Sequence, residues 1–334
     1  MELRDAHQKF IDARIKVYAI SYDSIDALAD FSNTHGIAYP LLSDVDSSVI
    51  QSYGILNTEI DADDIPIHGV PFPGTYITDE HGIVVAKFFH DSYKKRDSPE
   101  NLIDAALGRI ELDAEEPAVS GGDDDVRVSA TLHGGHGAIK QGMLRSIVVR
   151  FELRDGLHIY GEPVPEGMIP TTVRVNGPRG LVVLDPLLPP TETLRLESLG
   201  IELQVWSGTV DLQIPIYALS ELASECRPLE KSSVDLDIRV RYQACDDSTC
   251  LLPRTENLSL QVPLDTIDVP PIGRHTGHGQ KEGGMISGRH LRRLLFRKLR
   301  SNPLGMLRGI RKQVRLERAA RARLKRARSP ADRA

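Results

Sequence analysis

VDLDIRVRYQACDDSTCLLPRTENLSLQVPL, residues 234–264, decides how the larger part of this chain folds. Two β-rich runs, 234–242 and 258–262, flank a polar turn, Asp246-Asp247-Ser248-Thr249, that separates Cys245 from Cys250. A turn of this length can bring two cysteines within disulfide range, and its polar residues would leave the sulfurs exposed. Closing so short a loop removes little entropy from the unfolded chain, so a purely structural staple gains little. Two carboxylates beside the thiols disfavour thiolate. Three uses fit the pair: reversible thiol–disulfide exchange, a structural staple, or half of a metal site for which no second ligand pair is evident. Exchange is the leading reading.

Runs of the same texture precede this stretch, at 126–132, 146–152, 172–175, 202–205 and 209–214, separated by Gly and Pro clusters. Several short strands with turn signals and almost no helix argue for an antiparallel β-sandwich. Cys226, in ALSELASECRPLE (218–230), reads as a buried or incidental thiol. His133, His136, His275 and His278 stand in Gly-rich stretches and read as solvated loop histidines rather than metal ligands.

Upstream of the sandwich, ELDAEEPAVSGGDDD (111–125) is acidic, with Pro and paired Gly, and reads as a linker. Before it the pattern changes to α/β. Residues 1–14 are helical by their apolar spacing, and IKVYAIS (15–21) suits a buried strand. Ser24 opens a helix that Gly36 stops, and 46–53 form another, stopped at Gly54. Strands at 75–78 and 83–89 make a hairpin around Asp79-Glu80-His81-Gly82, and Ser98 caps a helix ending before Gly108. The limits expected are 1–110 for an α/β domain, 111–125 for a linker, 126–268 for the sandwich, and 269–334 for a Gly-rich, then basic, partly helical tail.

The formal net charge of −6 hides an asymmetry: 18 basic and three acidic residues from 281 onward, against 23 basic and 44 acidic before. Such a tail (289–328) could bind an anionic membrane surface or nucleic acid, or could simply be solvated. No zinc finger or helix-turn-helix is present, so sequence-specific nucleic-acid reading is not expected. No run of about 18 apolar residues occurs, so no spanning helix is expected. Three cysteines are too few for a disulfide scaffold. MELR at the start has no secretory-signal character. The compartment is therefore cytoplasmic by default. No cofactor is expected.

VYAISYDS (17–24), YPLLSD (39–44), YGI (53–55) and GVPFPGTYITDEHG (69–82), with the helix after Ser98, make residues 15–107 resemble the alkyl hydroperoxide reductase/thiol-specific antioxidant (peroxiredoxin) family. The resemblance implies a thioredoxin fold, with Pro73 matching the cis-proline beside the redox site of thioredoxin-like relatives. It also implies a nucleophilic cysteine at the start of a helix after a first, central strand. No cysteine precedes Cys226, and Pro73 stands where peroxiredoxins carry an arginine. The chain opens partway down that helix, so the first strand and redox motif are expected to be missing, through a start at an internal methionine or a truncated gene. Peroxidase activity is not expected of this chain.

DGLHIYGEPVPEGMIPTTVRV (155–175), the strand at 209–216, YQACDDSTCLLP (242–253) and LSLQVPL (258–264) make residues 126–264 resemble the N-terminal domain of the thiol:disulfide interchange protein DsbD. This resemblance implies an immunoglobulin-like fold and a redox-active Cys245–Cys250 pair, with Cys250 meeting the partner and Cys245 resolving. His158 and Tyr160 match aromatic positions near the pair. A thioredoxin-like or other dithiol protein is the implied partner, and an extracytoplasmic setting the implied compartment. The expected function is a thiol–disulfide redox protein relaying electrons through Cys245 and Cys250. The alternative is a non-catalytic binding or scaffold protein on a degenerate thioredoxin fold.

Overall fold

A computed structural model describes residues 2–60, 69–90, 95–196, 200–223, 232–246 and 249–265, with scattered positions between 296 and 314. Cys226, Asp247, Ser248, His275, His278 and most of the basic tail lie outside the described residues. The chain divides into two compact units, essentially residues 3–73 with 282–334, and residues 74–281.

The first unit carries two short helices, α1 (Glu2–Asp5) and α2 (His7–Asp12), then β1 (Ala19–Ser21), α3 (Ile25–His35), β2 (Leu41–Ser43) and α4 (Ser48–Ser52). β1 and β2 pair in parallel, Ile20 opposite Leu42, with α3 as the crossover between them. The helix has the ends its sequence specifies. The Ser24 side chain accepts from the Ala27 N–H, satisfying one of the orphan donors of the first turn. Gly36 closes the helix at φ +62°, a conformation that costs glycine no Cβ clash.

The second unit opens with the hairpin β3 (Gly74–Thr78) and β4 (Val84–Phe89), followed by β5 (Arg96–Asp97) and α5 (Pro99–Leu107). Ser98 caps α5 through the Asn101 N–H, and Gly108 ends it at φ +68°. The sandwich strands follow: β6 (Ala118–Gly122), β7 (Val126–His133), β8 (Ile139–Lys140), β9 (Met143–Leu153), β10 (His158–Tyr160), β11 (Thr172–Asn176) and β12 (Leu181–Val183). After β13 (Glu192–Leu196), β14 (Ile201–Ser207) and β15 (Thr209–Ala218) come the short α6 (Ser220–Ala223), β16 (Ser233–Tyr242), β17 (Ala244–Cys245) and β18 (Arg254–Asp265).

Three sheets result. One runs β12-β15-β9-β7-β6, with β5 added beside β9; a second runs β11-β16-β18-β8; a third runs β13-β14-β10-β17. Alternation fixes the register of the second sheet. Along β16, Val234, Leu236, Ile238, Val240 and Tyr242 are buried while Asp235, Asp237, Arg239 and Arg241 face out. A one-residue slip would put those four charges into the core. Leu258, Leu260 and Val262 on β18 repeat the pattern. These side chains meet Val128, Ile147, Val149, Phe151, Leu212 and Ile214 from the first sheet in one apolar core, where Phe151 and Tyr242 pack edge to face with centroids 5.5 Å apart.

The stretch read as a linker is ordered. Ala118–Gly122 pairs along its length with β7, Ala118 opposite Thr131 and Gly122 opposite Arg127. Backbone pairing needs no apolar side chains, so the Gly-containing Ala118–Gly122, flanked by acidic residues, serves as an edge strand. Just before it, Glu116 is buried for a specific reason. His133, the last residue of β7, is 1% exposed and lies between two carboxylates: Nε2 donates to Asp104 Oδ2 at 2.7 Å and Nδ1 to Glu116 Oε2 at 3.1 Å. Glu116 also accepts the Gly134 N–H (2.6 Å), and Glu100 accepts the Gly135 N–H (3.0 Å). The Arg145 Nε donates to the Ala138 carbonyl at the edge of this group. Burial alone would push the His133 pKa down; the hydrogen bonds and charges of Asp104 and Glu116 more than offset it and raise the pKa to about 9. His133 is thus an imidazolium tying α5 and the 111–117 segment to the sandwich. The solvated-loop reading of this residue is corrected, whereas His136 is exposed.

Candidate functional site

The site sits on the four-stranded sheet β13-β14-β10-β17. β10 is one of its two inner strands, with β14 on one side (His158 opposite Ser207, Tyr160 opposite Val205) and β17 on the other (His158 opposite Cys245, Ile159 opposite Ala244). β17 turns back on itself. The Asp246 N–H donates to the Thr249 carbonyl, the Asp246 carboxylate accepts the Thr249 N–H at 2.6 Å, and the Leu251 N–H donates to the Ala244 carbonyl. That hairpin sets Cys245 opposite Cys250, and the two form a disulfide with Cα atoms 4.1 Å apart.

The two sulfur-bearing residues are unequal. Cys245 is 1% exposed, in a small buried cluster with Tyr160, Leu203 and Val205. Cys250 is exposed. The Tyr160 hydroxyl donates to Cys250 Sγ at 3.6 Å, and burial holds its pKa above the ordinary tyrosine value, so it remains a donor. The His158 ring stands edge to face with Tyr160, centroids 5.5 Å apart. Beside His158 opens a cleft of ≈ 310 Å³ lined by Arg154, Leu157, Glu192, Leu194, Val205 and Ser207, among others.

Cys245, Cys250, His158 and Tyr160 therefore stand together. Pro73 belongs to the first unit, and its peptide bond is trans; the cis bond among the described residues is Glu162–Pro163. The reason lies in the local backbone. Pro71 bridges Leu56 and the Phe72 N–H donates to the Ile55 carbonyl at 2.7 Å, so Pro73 continues an extended run, where the trans form is the ordinary one.

Two features of the site were not read from the sequence. The segment 161–171 leaves β10 and comes back to it: the Thr171 N–H donates to the Tyr160 carbonyl, and the Gly161 N–H to the Gln204 carbonyl. Its Val164 and Met168 pack against the cluster that holds Cys245. The second is Gln243, whose Oε1 accepts the Ile169 N–H and whose Nε2 donates to the Leu251 carbonyl, both at 3.1 Å. Its position two residues before Cys245 was the available signal.

Residues 137–262 match the family model of the thiol:disulfide interchange protein DsbD N-terminal domain. The DsbD N-terminal domain is an immunoglobulin-like sandwich, which agrees with the mostly β architecture of the second unit. Residues 1–87 match the AhpC/TSA family, which is thioredoxin-like, and all three cysteines lie outside that match. Both families carry thiol–disulfide redox chemistry. Solved structures similar to this chain include the N-terminal periplasmic domain of ScsB from Proteus mirabilis, at 15% identity and a TM-score of 0.31, covering 45% of this chain and 53% of that one. The reduced DsbD N-terminal domain of Neisseria meningitidis is 16% identical with a TM-score of 0.24, covering 46% and 94%. The complex of the DsbD and PilB N-terminal domains from Neisseria meningitidis gives 16% and 0.23, covering 34% and 73%. This chain thus spans about half of the ScsB structure. A comparison with curated protein sequences finds no match. Among the described residues, no helix is long and apolar enough to cross a membrane.

Proposed function

We propose that the DsbD-like domain passes electrons by thiol–disulfide exchange at Cys245–Cys250 with a thioredoxin-like dithiol protein. The observation that carries this reading is a disulfide between a buried and an exposed cysteine, the exposed one's Sγ within reach of a protonated tyrosine hydroxyl. A partner thiolate attacks Cys250 Sγ. A partner–Cys250 bond forms, the Cys245–Cys250 bond breaks, and its electron pair stays on Cys245 Sγ, which takes up a proton. The partner's second thiolate then attacks its own sulfur in the mixed disulfide, and Cys250 leaves as a thiolate that accepts the Tyr160 hydrogen bond before it is protonated. Two electrons and two protons pass from the partner dithiol to the pair.

Residues 1–225 contain no cysteine, so the exchange proposed here rests on the Cys245–Cys250 pair. A disulfide of this kind persists in an oxidising compartment, which, with the DsbD match, favours an extracytoplasmic setting.

The test uses the full chain and a reduced thioredoxin-type protein lacking its resolving cysteine. Pre-oxidised chain should give a mixed disulfide mapped by mass spectrometry to Cys250. Cys245→Ser, activated as a mixed disulfide with a small thiol, should transfer to the partner, and Cys250→Ser should transfer at least tenfold more slowly. Equal transfer by both variants, or none by the wild type, would overturn the assignment.

A further inference from the structure

We propose that Gln243 is the positioning residue that latches the 161–171 loop over Cys245, and so directs an incoming thiolate to Cys250. This rests on the exchange reading above and adds what selects the sulfur. Selection matters because attack at either sulfur breaks the same bond but releases a different one. Attack at Cys250 Sγ forms the partner–Cys250 bond and leaves the electron pair on Cys245 Sγ. Attack at Cys245 would bury the mixed disulfide and leave the exposed sulfur free.

Three observations converge on one side chain. The loop is pinned at its ends, Gly161 to Gln204 and Thr171 to Tyr160. Between those pins, Val164 and Met168 supply the apolar cover on the Cys245 cluster. The Gln243 amide is the polar tie to the span between the pins, accepting from the Ile169 N–H next to Met168. With its other end it donates to the Leu251 carbonyl, one residue past Cys250. One amide therefore fastens the cover and the exposed cysteine's strand to the strand that carries the buried cysteine. Gln243 is itself half-buried, so the two bonds compete with water less than they would on an open surface.

Local opening sets how often a buried thiol can be reached: its modification rate scales with the open population. Losing both bonds should raise that population without unfolding the sandwich, whose main core does not include Cys245. The experiment measures iodoacetamide alkylation in the reduced full chain, one site cysteine at a time: Cys250→Ser reports Cys245, and Cys245→Ser reports Cys250. Gln243→Met, which keeps the side chain's bulk and removes both hydrogen bonds, should speed alkylation of Cys245 at least tenfold and leave Cys250 within twofold. Urea unfolding of the same variants, followed at Trp206, separates local from global opening. An unchanged Cys245 rate overturns the proposal, and so does a rise no larger than the loss of global stability explains. Since no partner protein takes part, failure here leaves the exchange reading standing, and failure of exchange leaves this measurement interpretable.

Discussion

Raising the pH should loosen the second unit through a single imidazole. His133 is protonated in the fold because the side chains of Asp104 and Glu116 hold it at 2.7 and 3.1 Å in a site that excludes water. Its pKa stands at about 9 in the native protein, against the ordinary 6.5. That difference corresponds to about 3 kcal/mol of stability, taking each unit as about 1.4 kcal/mol. The raised pKa means the native state binds the proton more tightly than the unfolded chain. The contribution is therefore complete below pH 6.5 and disappears as the pH rises through about 9. His133→Gln removes the titration and leaves two carboxylates with no cation between them. At pH 5.5 this variant should be less stable by about 3 kcal/mol, the lower end of the range for breaking a buried pair. The chain has one tryptophan, Trp206, buried in the sandwich core, so its fluorescence reports unfolding in urea. Between pH 5.5 and pH 10 the wild type should lose more stability than His133→Gln, by at most about 3 kcal/mol, since titrations remote from this site cancel in the comparison while the uncompensated carboxylates of the variant add a loss of their own. Equal losses in the two would refute the argument that His133 carries a proton in the fold.

The site and the core allow two further checks. Tyr160→Phe removes the hydrogen bond to Cys250 Sγ and should slow reduction of the disulfide by a thioredoxin-type dithiol several-fold, as expected for about 1 kcal/mol, with the urea midpoint nearly unchanged. Phe151→Ala empties the edge-to-face contact with Tyr242 in the middle of the core and should cost about 3–5 kcal/mol in urea unfolding at Trp206, while leaving Cys250 as reactive as before.

Much of the architecture was legible because the determinants are local. Ser24 and Gly36, like Ser98 and Gly108, bracket helices whose caps are satisfied within three residues, so their ends follow from the sequence alone. The alternation in residues 234–242 declares a two-faced strand. The cysteine hairpin needs only the turn between its own strands. What escaped reading depends on residues distant in sequence. His133 looks like a loop histidine until Glu116 and Asp104, 17 and 29 residues earlier, are seen to converge on it. The 111–125 stretch has a linker's composition, yet its backbone completes a sheet that only the fold of β7 makes available. At Pro73 the family pattern suggested a cis bond, but the hydrogen bond from Phe72 to Ile55 keeps the chain extended there. The loop that packs on the Cys245 cluster does so through Val164 and Met168, which carry no signal in isolation.

The partition of apolar side chains into two clusters has a consequence for the protein's working life. Cys245 shares its surroundings with Tyr160, Leu203 and Val205, whereas the side chains that hold the two large sheets together form a separate group. The disulfide joins residues only five apart in sequence, so opening it returns little freedom to the unfolded chain. The chain-entropy contribution of so short a loop is about 2 kcal/mol, less than a long loop would give, so the reduced form should unfold at a modestly lower denaturant concentration than the oxidised one. The hairpin is anchored in the main core through Ala244 and Leu251, while its buried sulfur-bearing residue belongs to the small cluster; cycling between bonded and open sulfurs therefore disturbs the small cluster first and leaves the packing of the two large sheets in place.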